Sequence, residues 1–263
     1  MVYSTDELVS GAVRPSPIFY LIVVLTAVTA WLTTTTLISS GVAVFLFILT
    51  AWTLSLIFHE FAHAFVAWRS GDHSIEQRGY LTLDPRKYTH PLLSLVLPVV
   101  FIMMGGIALP GGAVMINRGA LNNAQATMVA LAGPFTNLAF GAVSLLAIAN
   151  GLIDPVAQPT LARAVAFFGF LQIVVFVLNM LPIPGLDGYA AVEPSLPQST
   201  QQLMRPVKNY AFLILIFLLF YAEWAQGLFW GLVLAVLDVF GVDAQLFQDG
   251  LDLFRFWGDL SVF

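Results

Sequence analysis

Residues 57–68 read IFHEFAHAFVAW, and they decide the class of fold. His59, Glu60 and His63 sit inside an apolar run, residues 42–68, that carries no other ionisable side chain. Hydrocarbon penalises ionisable groups, so three of them this close together mark a functional site. The spacing is H-E-x-x-H. On a helix, positions i and i+4 share a face, so both imidazoles are placed to hold one metal ion. Glu60 projects about 100° further round and can address a water on that metal. The bland alternative is a pair of structural histidines beside a buried glutamate, which leaves an unpaired carboxylate in lipid at high cost.

Working outward, the composition fits a chain that is mostly membrane-embedded. Of its 263 residues 59% are hydrophobic and 10% charged, against about 25% charged in a soluble domain. Net charge is −5 without a basic patch, which argues against nucleic acid as a partner. With no cysteine, a metal site must use His, Asp or Glu. The acidic N-terminus (Asp6, Glu7) does not read as a signal peptide.

In order, residues 1–17 read as a polar tail and residues 18–240 as a single membrane-embedded domain with its core at about 42–193. Residues 241–263 read as an amphipathic tail on the membrane interface, with Phe247, Leu251, Phe254 and Trp257 at helical spacing. Apolar spans are expected at 18–38, which is free of charges, and at 42–68, 124–150 and 161–181. GYLTLD, residues 79–84, alternates like a short strand, and residues 107–117 look like a hairpin turning at Gly111-Gly112. Residues 207–240 fit either one long helix or two short ones, with Glu223 at a kink or hairpin tip. The class expected is an all-α polytopic membrane protein of about six transmembrane helices, with a small β-strand and re-entrant hairpin region near the site.

Catalytic zinc takes three protein ligands and keeps one position open. Asp187 is the best third ligand. Pro182 and Pro184 cannot continue the preceding helix, and Gly185 and Gly188 allow unusual backbone angles. Irregular backbone at membrane depth is tolerated only where it lines a cavity. For Asp187 to reach the histidines, residues 91–117 must enter the membrane and return. Arg14, Arg69, Arg78, Arg86, Lys87, Arg118, Arg205 and Lys208 then share one side, with Arg163 opposite, which makes the site side cytoplasmic. A gluzincin-like arrangement with Glu193 as third ligand is the rival. Asn137 reads as a polar link between helices, His73 and His90 as interfacial, and Asp84 before Pro85 as a turn residue.

Together, HEFAH in an early span, GPFTN (133–137) in a central one and NMLPIPGLDG (179–188) after the next resemble the site-2 protease family of intramembrane zinc metalloproteases. The resemblance covers roughly residues 42–193. It implies His59, His63 and Asp187 as ligands of one Zn2+ and Glu60 as catalytic acid/base. It also implies that Asn179 lies near the metal, where its amide could donate to the oxyanion. GYLTLDP and IALPGGAVMIN resemble the family's cytoplasmic-side strand and re-entrant hairpin. The partners implied are the lipid bilayer and a transmembrane protein substrate, in a multi-pass cell-membrane setting. A zinc-binding transporter or scaffold without hydrolytic activity is the alternative. Transport, however, calls for ionisable residues spread over several spans.

Overall fold

The computed structural model describes residues 12–88, 114–208 and 210–258. Helix α1 (Pro17–Leu32) begins where Ser16 Oγ accepts from the Phe19 N–H, with Pro17 in the first turn. It ends where the hydroxyls of Thr33, Thr34 and Thr35 donate to the carbonyls of Ala30, Trp31 and Leu32. Helix α2 (Ser40–Arg69) is capped by Ser39 and runs 30 residues, about 45 Å at 1.5 Å per residue. Helix α3 (Asn123–Ala149) opens on a capping box between Asn122 and Gln125, and α4 (Pro159–Met180) opens on Pro159.

Among the described residues, α2, α3 and α4 are long and apolar enough to cross a membrane. The expected count of about six spans is not reached there. The 18–38 stretch is helical only as far as Leu32, in the 16-residue α1, because the threonines turn its end. The 207–240 stretch divides into α7 (Ala211–Phe220) and α8 (Glu223–Asp238), which break at Tyr221-Ala222 and pack on each other. Between α4 and α7 lie the short α5 (Asp187–Val192) and the polar α6 (Gln198–Lys208).

Helix α4 is the centre of the bundle, buried along most of its length against α3, α8 and α9 (Ala244–Phe254). Helices α3 and α4 approach through Gly141, where a Cβ would come within 2.7 Å of Ile173, and Gly169, where it would come within 2.8 Å of Leu145. The outward faces carry Tyr20, Val24, Trp31, Val143, Leu213 and Phe217 exposed, the surface a hydrocarbon solvent requires. Helix α9 is amphipathic, as expected, but its apolar side faces protein: Phe247 and Phe254 are buried against Phe170 and Phe167. Arg163 Nε donates to Asp249 at 3.0 Å and ties it to the start of α4.

Residues 79–84 are not a strand. Gly79 and Leu83 take left-handed backbone angles on either side of a 3-10 turn, Tyr80–Thr82, which buries Tyr80, Leu81 and Leu83 beneath α2. Two consecutive inward side chains cannot satisfy a strand's alternation, and the glycine closes a turn instead. The expected re-entrant stretch falls mostly on residues outside those described. Its last part, residues 114–117, is non-helical and anchored where the Asn117 N–H donates to the buried Asp72 carboxylate at 2.7 Å.

Candidate metal centre

His59 and His63 sit one helical turn apart on α2, both buried, with their Nε2 atoms 3.1 Å from each other. Asp187, the first residue of α5, brings Oδ2 to 3.4 Å from each Nε2. Its approach depends on the break after α4. Leu181 leaves the helix extended, Gly185 takes φ 106°, and α5 folds back onto the end of α4. A Cβ on Gly188 would lie 2.7 Å from the Leu181 carbonyl oxygen, so only glycine permits this return.

These separations suit one small cation. Zinc bonds of 2.0–2.1 Å at tetrahedral angles place neighbouring ligand atoms about 3.3 Å apart. The far side of each ring is also committed. His63 Nδ1 donates to the Val129 carbonyl at 2.7 Å, and His59 Nδ1 donates to Asn137 Oδ1 at 2.6 Å. Both Nε2 lone pairs are thereby left for a metal. Pro134, inside α3, has no N–H to close its own turn of the helix, and the nearby Val129 carbonyl is turned to His63.

Gly133 makes the room. A Cβ there would lie 2.6 Å from His59 Nε2 and closer still to His63 Nε2, so a methyl group would fill the cradle. Glu60 is 3% exposed, and among the described residues its Oε2 has no hydrogen-bond partner. That leaves a buried carboxyl oxygen beside the cluster. Among the described residues, His59, His63 and Asp187 are the group that can converge on one ion.

Other expected residues fall as follows. Asn179 is buried near the end of α4 and joins no side-chain hydrogen bond among the described residues. Glu193 lies outside the converging group among the described residues. Its carboxylate accepts from Arg118 Nη2 at 3.2 Å and Lys208 Nζ at 2.7 Å. His73 is exposed, His90 lies outside the described residues, and Asp84 is a turn residue paired with Arg86 at 2.8 Å. Asn137 does link helices, as expected, and it also orients His59. Gly133 is marked in the sequence only by the GPFTN motif, and Gln172 has no sequence signal.

No family model and no solved structure matches the chain. Curated relatives do. "Putative zinc metalloprotease Rip2" of Mycobacterium tuberculosis is 49% identical over 250 residues, 94% of this chain and 95% of that protein. The Rip2 of Mycolicibacterium smegmatis is 47% identical over the same shares of the two chains. The chain belongs to this zinc metalloprotease family. "Putative zinc metalloprotease YwhC" of Bacillus subtilis is more distant, at 30% identity over 172 residues, 63% of this chain and 76% of that one. Family membership and the converging His59, His63 and Asp187 are consistent with one Zn2+. The apolar helices make it a membrane protein.

Proposed function

We propose that this zinc metalloprotease is an intramembrane endopeptidase of the site-2 type, hydrolysing peptide bonds in or near the transmembrane segments of other membrane proteins. The observation that carries the reading is the position of the cluster. Two ligands and Glu60 lie on α2, which is long and apolar enough to span a bilayer, and the third arrives from the broken end of another such helix. A protease for soluble substrates has no need of that burial.

When bound, zinc lowers the pKa of a water toward neutrality and polarises a carbonyl. His59, His63 and Asp187 would hold it. Glu60 Oε2, without a hydrogen-bond partner among the described residues, takes a proton from the attacking water and delivers it to the leaving amine nitrogen. Asn179, through its side-chain amide, donates to the oxygen that becomes negative as the carbonyl is attacked. A helical substrate hides its peptide bonds and must unwind before this set of groups can act on it.

The site end of the bundle also carries Arg69, Arg78, Arg118 and Lys208, and the opposite end Arg163 and Arg255. The positive-inside rule therefore supports a cytoplasmic site in the cell membrane. The test is reconstitution of the zinc-loaded protein in lipid vesicles with a library of single-span membrane sequences and with water-soluble peptides of the same sequences. Cleavage of embedded spans by the unmodified protein, and none by Glu60→Gln, is expected. Hydrolysis of the soluble peptides alone, or of nothing, would contradict the proposal. The transporter reading has less support, because the ionisable residues cluster at one site.

A further inference from the structure

Behind His59 stands a row of buried polar side chains that the hydrolytic reading does not use. Asn137 on α3 accepts from His59 Nδ1 through Oδ1, and its Nδ2 donates to Gln172 Oε1 on α4 at 2.8 Å. Gln172 Nε2 in turn donates to Ser55 Oγ on α2 at 3.0 Å, and the Ser55 hydroxyl donates to the Trp52 carbonyl at 2.9 Å. Ser55, Asn137 and Gln172 are all nearly or wholly buried, Gln172 at 0% exposure. No water competes for these bonds, and the row closes on the same helix that carries the histidine.

The row has one direction. With the Ser55 hydroxyl donated to the Trp52 carbonyl, its oxygen accepts from Gln172 Nε2. That turns Gln172 Oε1 toward Asn137, whose Nδ2 must donate to it. Asn137 Oδ1 is then the atom facing His59 Nδ1, which must carry the proton. The other ring nitrogen is therefore bare. If the Asn137 amide were reversed, His59 Nδ1 would accept, Nε2 would carry the hydrogen, and that hydrogen would point into the space the metal needs.

We infer that Gln172 is a positioning residue for the metal centre: anchored by Ser55, it holds the Asn137 amide in the one orientation that keeps His59 Nε2 free as a ligand. The inference rests on the zinc reading above. Outer partners of metal-bound histidines are worth about 10- to 100-fold in metal affinity, and Gln172 stands one residue beyond such a partner.

The test is zinc affinity of the purified full chain, by competition with a chelator, with the thermal midpoint of the zinc-free protein as the fold control. Gln172→Leu fills the volume and removes the acceptor for Asn137. About a 10-fold or greater loss of zinc affinity is expected at an unchanged zinc-free midpoint. Gln172→Glu keeps an acceptor for Asn137 Nδ2, and its second oxygen accepts from the Ser55 hydroxyl, which turns away from the Trp52 carbonyl to reach it. Affinity within about 3-fold of the unmodified protein is expected. A purely space-filling residue predicts the reverse order, with leucine tolerated and glutamate not. If Gln172→Leu does not fold, Ser55→Ala decides: a loss of about 3-fold or more supports the inference, and unchanged affinity overturns it. Equal zinc binding by Gln172→Leu and the unmodified protein also overturns it. Failure of the unmodified protein to bind zinc sinks the metal reading instead.

Discussion

Replacing Gly133 with alanine tests the geometry of the centre with a single methyl group. The added Cβ would stand 2.6 Å from His59 Nε2 and nearer to His63 Nε2. Carbon and nitrogen rest comfortably at about 3.5 Å, so α3 must retreat from α2 by on the order of 1 Å. Zinc bonds tolerate displacements of only about 0.2 Å. Gly133 also lies on the same helix as both imidazole partners, Val129 and Asn137, so the retreat loosens the rings as well. Gly133→Ala is therefore expected to lower zinc affinity by about 100-fold or more, at the upper end of what outer-partner changes cost. Stability should change much less. Alanine gains about 1 kcal/mol of helix propensity over glycine, which offsets part of the roughly 1–3 kcal/mol of overpacking. The assay is chelator competition on the purified chain, with the zinc-free thermal midpoint alongside. Zinc binding within about 3-fold of the unmodified protein would refute the reasoning, because the Cβ would then not share the metal's space.

Three further outcomes are expected. Glu60→Gln keeps zinc within a few-fold and loses hydrolysis by about 100- to 10,000-fold, the usual worth of a general acid/base, as read by metal analysis and a cleavage assay. Asp187→Ala abolishes tight zinc binding while Glu193→Ala leaves it unchanged, since Glu193 is engaged with Arg118 and Lys208; the opposite pattern would restore the rival ligand. The Arg86 guanidinium holds the Asp84 carboxyl below its ordinary range. Its contribution to stability is thus in place above about pH 4 and lost as the pH falls below that. Asp84→Asn should flatten the acid side of a stability-versus-pH curve, and an unchanged curve would remove the ion pair from the account.

Much of the site could be read from the chain because its elements announce themselves locally. A histidine pair at helical spacing needs no partner to be recognised, and the Pro182, Pro184 and Gly185 sequence forces a break wherever the helix lies. The requirement that Asp187 return to the same end as the 69–88 loop is met. What stayed hidden is tertiary. Gln172 has no local signature, since one glutamine in an apolar span could face any of its neighbours. Only the packing of α2, α3 and α4 reveals that it completes a row ending at His59. The strand expected at 79–84 failed because alternation over so few residues is weak against a glycine that can close a turn. The 18–38 span came out shorter because four threonines in a row, Thr33 to Thr36, offer hydroxyls that end a helix as easily as they decorate one.

The most direct measurement is X-ray absorption at the zinc edge of the purified protein. One zinc per chain is predicted, with two imidazole nitrogens and carboxylate or water oxygen at about 2.0–2.1 Å, and with the signal lost in Asp187→Ala. Zinc that is absent from the unmodified chain, or bound without two imidazoles, would contradict the account.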